Sequence, residues 1–341
     1  MAFPIEVVLF LFLIASAISV ALLEDLFAAA MITGIFSLIS AGLFTLMDAV
    51  DVAFTEAAVG AGISTVLVLS TLGLTTDRED QRAFHLFPLV VVLITGAALL
   101  YGTLDMPLYG DPSAPIHGHV APDYIVGAMK DFGIPNIVTN VLASYRGYDT
   151  LGETVVIFTA TIGVLLLLTA GGRERGASKE SEGQAHTAHE PPSPMREVVV
   201  LRLVSQALIP LILLFAFYVQ FHGDFGPGGG FQAGVIFGAG LVLYGLIFGL
   251  ETLKGVVPPA VLEAGLALGV LLYGGTGVAC LLLGGNYLDY AVFDHHSAAH
   301  GRHLGILLVE GGVGIAVTCA MTLIFYAFGG RSSIRNGGAS Q

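Results

Sequence analysis

Nine separate stretches of this chain are apolar over about the 20 residues that a helix needs to cross a hydrocarbon layer. They run Phe3–Leu23, Leu26–Met47, Val52–Leu74, Leu86–Leu104, Leu151–Ala170, Val198–Phe221, Phe231–Glu251, Val261–Gly284 and His303–Phe328. In lipid, backbone amides have no water to bond, so such a segment closes its hydrogen bonds internally as a helix. The expected fold is therefore all-α, a polytopic membrane bundle of nine transmembrane helices. Only 11% of the 341 residues are charged and 55% are hydrophobic, against about 25% charged in a soluble domain. A net charge of −13 argues against nucleic acid, which requires a basic face. The first stretch lacks a basic flank and a cleavage signature, so it is expected to be retained as a helix.

The basic residues orient the bundle. Arg78, Arg82, Arg173, Arg175, Lys179, Arg196, Lys254, Arg331 and Arg335 fall in alternate connections and after the last helix; Lys130, Arg146 and Arg302 fall in the others. By the positive-inside rule the N-terminus is expected outside and the C-terminus inside. Residues 171–197, rich in Ser, Glu, Pro and Gly with no apolar period, read as a flexible cytoplasmic linker. They divide the chain into a five-helix module, 1–170, and a four-helix module, 198–341. No internal repeat is evident. Asp123–Ser144 is too polar to span and reads as an amphipathic segment on or against the bundle.

Acidic residues in or beside the apolar stretches are the candidates for chemistry, because a charge at membrane depth is expensive and is usually capped, paired or functional. Glu153 follows Thr150 in a Thr-x-x-Glu capping-box pattern, yet Arg146, Tyr148 and Asp149 crowd the same helix end. It is either a cap or part of an ion path. Asp51 is a potential cap for the third helix. Regular helical spacing puts Glu56, Gly60, Ser64 and Thr71 on one small, polar face that packs against protein. Glu310, in LLVEGGVGIAV, is the deepest acid and should be neutral, paired or hydrated; Gln206 or a backbone group is its structural alternative. Lys130 and Asp131 either pair with acids at the helix ends or form a solvated face.

The run Pro227, Gly228, Gly229, Gly230, Phe231 lacks the Lys-Ser/Thr of a phosphate loop. Gly230, Gly234 and Gly238 recur every four residues, so this region reads as a surface for close helix packing. His295, His296, His300 and His303 cluster near Asp289 and Asp294. A solvated loop is the plainest reading, with metal binding and pH sensing as weaker alternatives; His117 and His119 stand similarly in another loop. Cys280 and Cys319 have no CxxC spacing and are expected to be packed thiols. No cofactor is indicated.

Three motifs carry a family resemblance. HGDFGPGGGFQAG at 222–234 resembles the GHxxPGGGFxxG signature of the MrpB (MnhB) subunit of Mrp-type multisubunit Na+/H+ antiporters, with the GH order shifted so that His222 precedes Gly223. SYRGYDTLGETVV and, upstream, DVAFTEAAVG are similar to the FRGFDTLGE and DVALTEA elements of the C-terminal portion of the MrpA subunit, with Val50 where that family often has Pro. The chain thus looks like the last helices of MrpA joined to MrpB, without the long antiporter-like portion of MrpA. The resemblance implies a transport component rather than an enzyme, in a bacterial cytoplasmic (inner) membrane, assembled with large antiporter-like and small membrane subunits. It implies Na+ and H+ as the transported ions and an ion path through Glu56 and Glu153, with Glu310, Asp51, Asp149, Arg146 and Lys130 as further members. The same modules occur in hydrogenase-type complexes related to respiratory complex I, so a redox-driven ion-coupling role and a purely structural role are the alternatives.

Overall fold

A computed structural model describes residues 3–72, 78, 86–176 and 198–336. Within these residues nine helices are long and apolar enough to cross a membrane, at the expected places. They are α1 (Phe3–Leu22), α2 (Leu26–Leu46), α3 (Val50–Leu72), α4 (Leu86–Thr103), α5 (Gly147–Gly176), α6 (Val199–His222), α7 (Gly230–Phe248), α8 (Pro259–Leu282) and α9 (Ala298–Asn336). α5 continues through Gly176, so the first residues of the expected linker are helical; the rest of it lies outside the described residues.

The core is built around α9, which packs against α7, α8 and α5. Small residues permit it. A Cβ at Gly269 of α8 would lie 2.5 Å from the Gly312 carbonyl, and one at Gly234 of α7 would lie 2.7 Å from the Gly314 carbonyl. Lipid tails are as apolar as leucine, so close backbone approach of this kind drives association in a membrane. Ile306, Val309, Ala316, Val317 and Ala320 of α9 are fully enclosed.

α3 is not one regular helix. Residues Ala57–Ser64 form a π-helix between α-helical Val50–Glu56 and Thr65–Leu72, and the Thr65 hydroxyl donates to the Gly60 carbonyl five residues back. The face expected from uniform four-residue spacing is therefore broken after Glu56. The small residues explain how the turn is tolerated, since a Cβ at Gly60 would collide with Ser37 of α2.

The segment between α4 and α5 is a chain of short turns: Val120–Gly127, π-helical Ala128–Phe132, Ile137–Asn140 and π-helical Val141–Tyr145. It folds onto the loop joining α6 to α7. Asn136 Nδ2 donates to the carbonyls of Gly223 and Gly226, both at 2.9 Å, while its Oδ1 caps the Val138 and Thr139 amides. Thr139 donates to the Gly223 carbonyl at 2.7 Å. Nearby, the buried hydroxyls of Tyr273 and Tyr290 donate to the carbonyls of Gly147 and Ala143. Burial pushes the Tyr290 hydroxyl well above the ordinary phenol range, so it remains a donor at any physiological pH. The two halves thus share one core, in which Ile63, Phe132 and Ala143 meet Val235, Tyr273 and Val309.

Candidate functional site

The bonds between the halves close around a cavity of about 220 Å³. Three helices deliver a carboxylate to its wall: Asp51 from α3, Glu153 from α5 and Glu310 from α9. Thr55, Thr139, Thr150, Thr154, Gln232 and Tyr273 add polar groups, and Ile157, Phe231 and Val313 add apolar ones. Among the described residues, no Lys, Arg or His lines it.

Each acid is placed by its own local structure. Asp51 sits in the first turn of α3, where the positive helix end favours a carboxylate, and its Oδ1 accepts from the Gly228 amide at 3.3 Å. Gln232 donates to Thr55 at 3.0 Å one turn further on. Glu153 is not part of a capping box. α5 begins at Gly147, and the Thr150 hydroxyl donates back to the Leu142 carbonyl instead of serving an amide at the helix start. Glu310 lies under the glycine turn, where Gly229 adopts φ +117° and a Cβ there would sit 3.1 Å from Glu310 Oε1. A Cβ at Gly230 would strike the Glu310 carbonyl. Pro227–Phe231 is therefore both a packing surface and part of the cavity wall. Glu310 Oε2 is buried without a hydrogen-bond partner; Gln206, offered by the sequence as its partner, is exposed on α6.

Other candidates are not brought here. Asp51 and Glu56 are five residues apart, about 140° around a helix, so Glu56 faces the Gly60 surface where α2 packs. Arg146 and Asp149 pair with each other at the exposed start of α5. Lys130 is exposed and makes no ion pair among the described residues. Tyr145 donates to Asp131 at 3.4 Å, and burial, with that carboxylate beside it, raises the Tyr145 hydroxyl above its usual value.

The histidines disperse. His300 Nδ1 meets Asp294 Oδ2 at 2.7 Å and the His296 ring is almost fully exposed. His303 turns away to Asp224, with Nε2 to Oδ2 at 2.6 Å. Among the described residues no three His, Cys, Asp or Glu side chains form a metal-binding group. His222 stacks on Tyr218 at 4.8 Å and lies with Pro227 against α2 and α3. Counting back from Pro227, the His of the GHxxPGGGF pattern falls on Asp224, so the motif is substituted at that position rather than shifted. Sequence reading missed Asp224, Gln232 and Tyr273; that count would have exposed the first.

A bundle of apolar helices long enough to cross a membrane, with three carboxylates on one cavity wall, places the chain in the class of polytopic membrane subunits. Residues 200–323 match the model described as a domain related to the MnhB subunit of Na+/H+ antiporter, and residues 11–77 match the MbhD model, which describes a component of MBH. The chain is 31% identical over 137 residues to the B-type Na+/H+ antiporter component of Bacillus subtilis, covering 37% of this chain and 92% of that protein. It belongs to the MnhB family of multisubunit Na+/H+ antiporter components, extended at its N-terminal side. It is also 23% identical over 236 residues to a probable K+/H+ antiporter component of the fused A/B type from Rhizobium meliloti, covering 63% of this chain. The Mrp complex from Dietzia superposes with a TM-score of 0.71 at 26% identity over 94% of the chain. A membrane-bound sulfane sulfur reductase, an archaeal respiratory complex, superposes at 0.52 and 26% identity, covering 71% of this chain and 97% of that one. The chain spans 23% of the Rhizobium meliloti protein and 34% of the Dietzia chain.

Proposed function

We propose that this chain forms part of the ion path of a multisubunit cation/proton antiporter. It acts in a bacterial cytoplasmic membrane with its N-terminus outside, beside large antiporter-like subunits and small membrane subunits. The observation that carries this reading is the cavity that joins Asp51, Glu153 and Glu310 with no basic side chain among the described residues of its wall. Carboxylates that share a site without a counter-charge do not all ionise together. They hold protons or attract a cation, and those two states compete. The remaining surface of α6–α9 serves as a scaffold for partner subunits.

The test is exchange in vesicles carrying the assembled complex, read with a pH-sensitive dye on addition of NaCl or KCl. Glu310→Gln and Glu153→Gln should each lower the rate at least about tenfold, with assembly retained. Full exchange in both assembled variants would remove the ion path and leave a structural role. A second reading, ion coupling in a redox-driven complex, draws on the likeness to the sulfane sulfur reductase. Mass spectrometry of the gently purified complex separates the two: iron–sulfur or nickel subunits favour the redox-driven assembly, antiporter-like subunits alone favour exchange.

A further inference from the structure

Asp224 and His303 lie beside the cavity and none of the motif roles accounts for them. Asp224 is carried on the turn between α6 and α7 and is 4% exposed. Its backbone is fixed by the Asn136 amide, which donates to its carbonyl at 3.1 Å. Its Oδ2 meets His303 Nε2 at 2.6 Å, while its Oδ1 is buried with no partner. A buried carboxylate kept only for stability would have both oxygens satisfied, since an unmet buried acceptor is costly and more so when charged.

His303 and Glu310 are seven residues apart on α9, two turns, and therefore share a face. Glu310 also presents a buried, unpartnered oxygen, Oε2, and its carboxyl lies against Gly229 of the same turn that carries Asp224. The His303 side chain is 39% exposed where that of Asp224 is 5% exposed, so the ring links the open end of the bundle to the enclosed carboxylate. The neighbouring charged groups are otherwise engaged. Arg302 donates to the Asp131 carbonyl at 2.6 Å and stacks on Phe132, and His300 is held by Asp294. Glu153 faces the cavity from α5 and His222 is stacked on Tyr218.

We propose that His303 and Asp224 form a proton relay between the loop end of the bundle and Glu310. The proposal rests on the reading of the acidic cavity as part of an ion path. In the inward direction the ring gains a proton at Nδ1 and gives up the Nε2 proton to Asp224 Oδ2. The neutral carboxyl then turns about its Cβ–Cγ bond, which carries that same proton away from His303 to the side where the unpartnered oxygen lies, and releases it through water to the Glu310 carboxylate at Oε2. The ring, 39% exposed, then returns the Nδ1 proton to water and takes one from water at Nε2, so that over the cycle one proton passes from the open end to Glu310. No bond between heavy atoms changes.

Vesicles carrying the assembled complex test the relay, with NaCl or KCl as the added cation and dye fluorescence as readout. His303→Ala should slow exchange at least about tenfold, and added imidazole should restore a large part of it. Asp224→Asn should be slowed without rescue. If the alanine variant does not assemble, His303→Gln carries the test, because it keeps a hydrogen bond to Asp224 but has no titratable nitrogen; slow exchange supports the relay. A wild-type rate in either His303 variant overturns it, as does a loss in assembled His303→Ala that imidazole leaves unchanged. An assembled wild-type complex that exchanges neither Na+ nor K+ sinks the antiport reading and the relay with it, whereas an active wild type with indifferent variants sinks the relay alone.

Discussion

α9 and α4 are close in apolar character, yet 61% of the α9 stretch is buried within the chain and none of the α4 stretch is. The difference lies in what small residues face. On α9, Gly305, Gly312 and Gly314 each stand against another part of the chain, at Tyr290, Gly269 and Gln220 respectively. On α4, a Cβ added at Gly96 or Gly102 would meet nothing, and Leu93, Ile94 and Leu99 all point outward. Apolarity decides that a segment enters the membrane, and the placement of small and polar groups decides what it packs against.

The contrast breaks most visibly at the glycine turn. Gly230→Val puts side-chain carbon into the Glu310 backbone and should exceed the usual overpacking cost of about 1–3 kcal/mol, abolishing recovery of folded chain on a native gel. Asn136→Ala removes the clamp between the halves and takes the side-chain donor from the Gly226 carbonyl, while the Gly223 carbonyl keeps Thr139. It should cost about 1–3 kcal/mol and lower the thermal midpoint of the purified complex. Leu99→Ala on α4 should change the stability of the chain itself by no more than about 0.5 kcal/mol. A loss as large as that of Asn136→Ala would show that α4 packs within the chain after all. The smallest effect belongs to the loop before α9. Asp294 is held below the usual carboxylate value by the His296 amide, with His300 and the Ser297 amide adding to it. A lowered value means that the turn is fully supported above the ordinary carboxylate pKa of 3.8 and loosens as pH falls through the lowered one. Amide exchange at residues 296–300 should accelerate only below that point.

The spanning helices were legible because about 20 apolar residues have only one way to satisfy their amides in lipid. Their ends agree with expectation to within a few residues at most places. α5 and α9 begin several residues earlier than the apolar run, because polar first turns are still helical. The site was legible in part. Asp51, Glu153 and Glu310 are each visible as acids in apolar surroundings, but their convergence depends on three helices far apart in sequence. Glu56 lies off this wall, toward Gly60, and its face was not legible because a carboxylate near a helix start looks alike on every face. The π-turn at Ala57–Ser64 was hidden, since no residue type demands it. His303 was grouped with its neighbours in sequence, while its partner is Asp224 on a distant turn.

The clamp described above has a consequence for how the two halves stay together. Asn136, Thr139, Tyr273, Tyr290 and Asp51 all bond across from one half to the other, and none of these bonds involves the segment that joins the halves covalently. The groups that hold the halves together would therefore be present in full even if α1–α5 and α6–α9 were made as two separate chains. The interface itself is written in the turns at the opposite end of the helices.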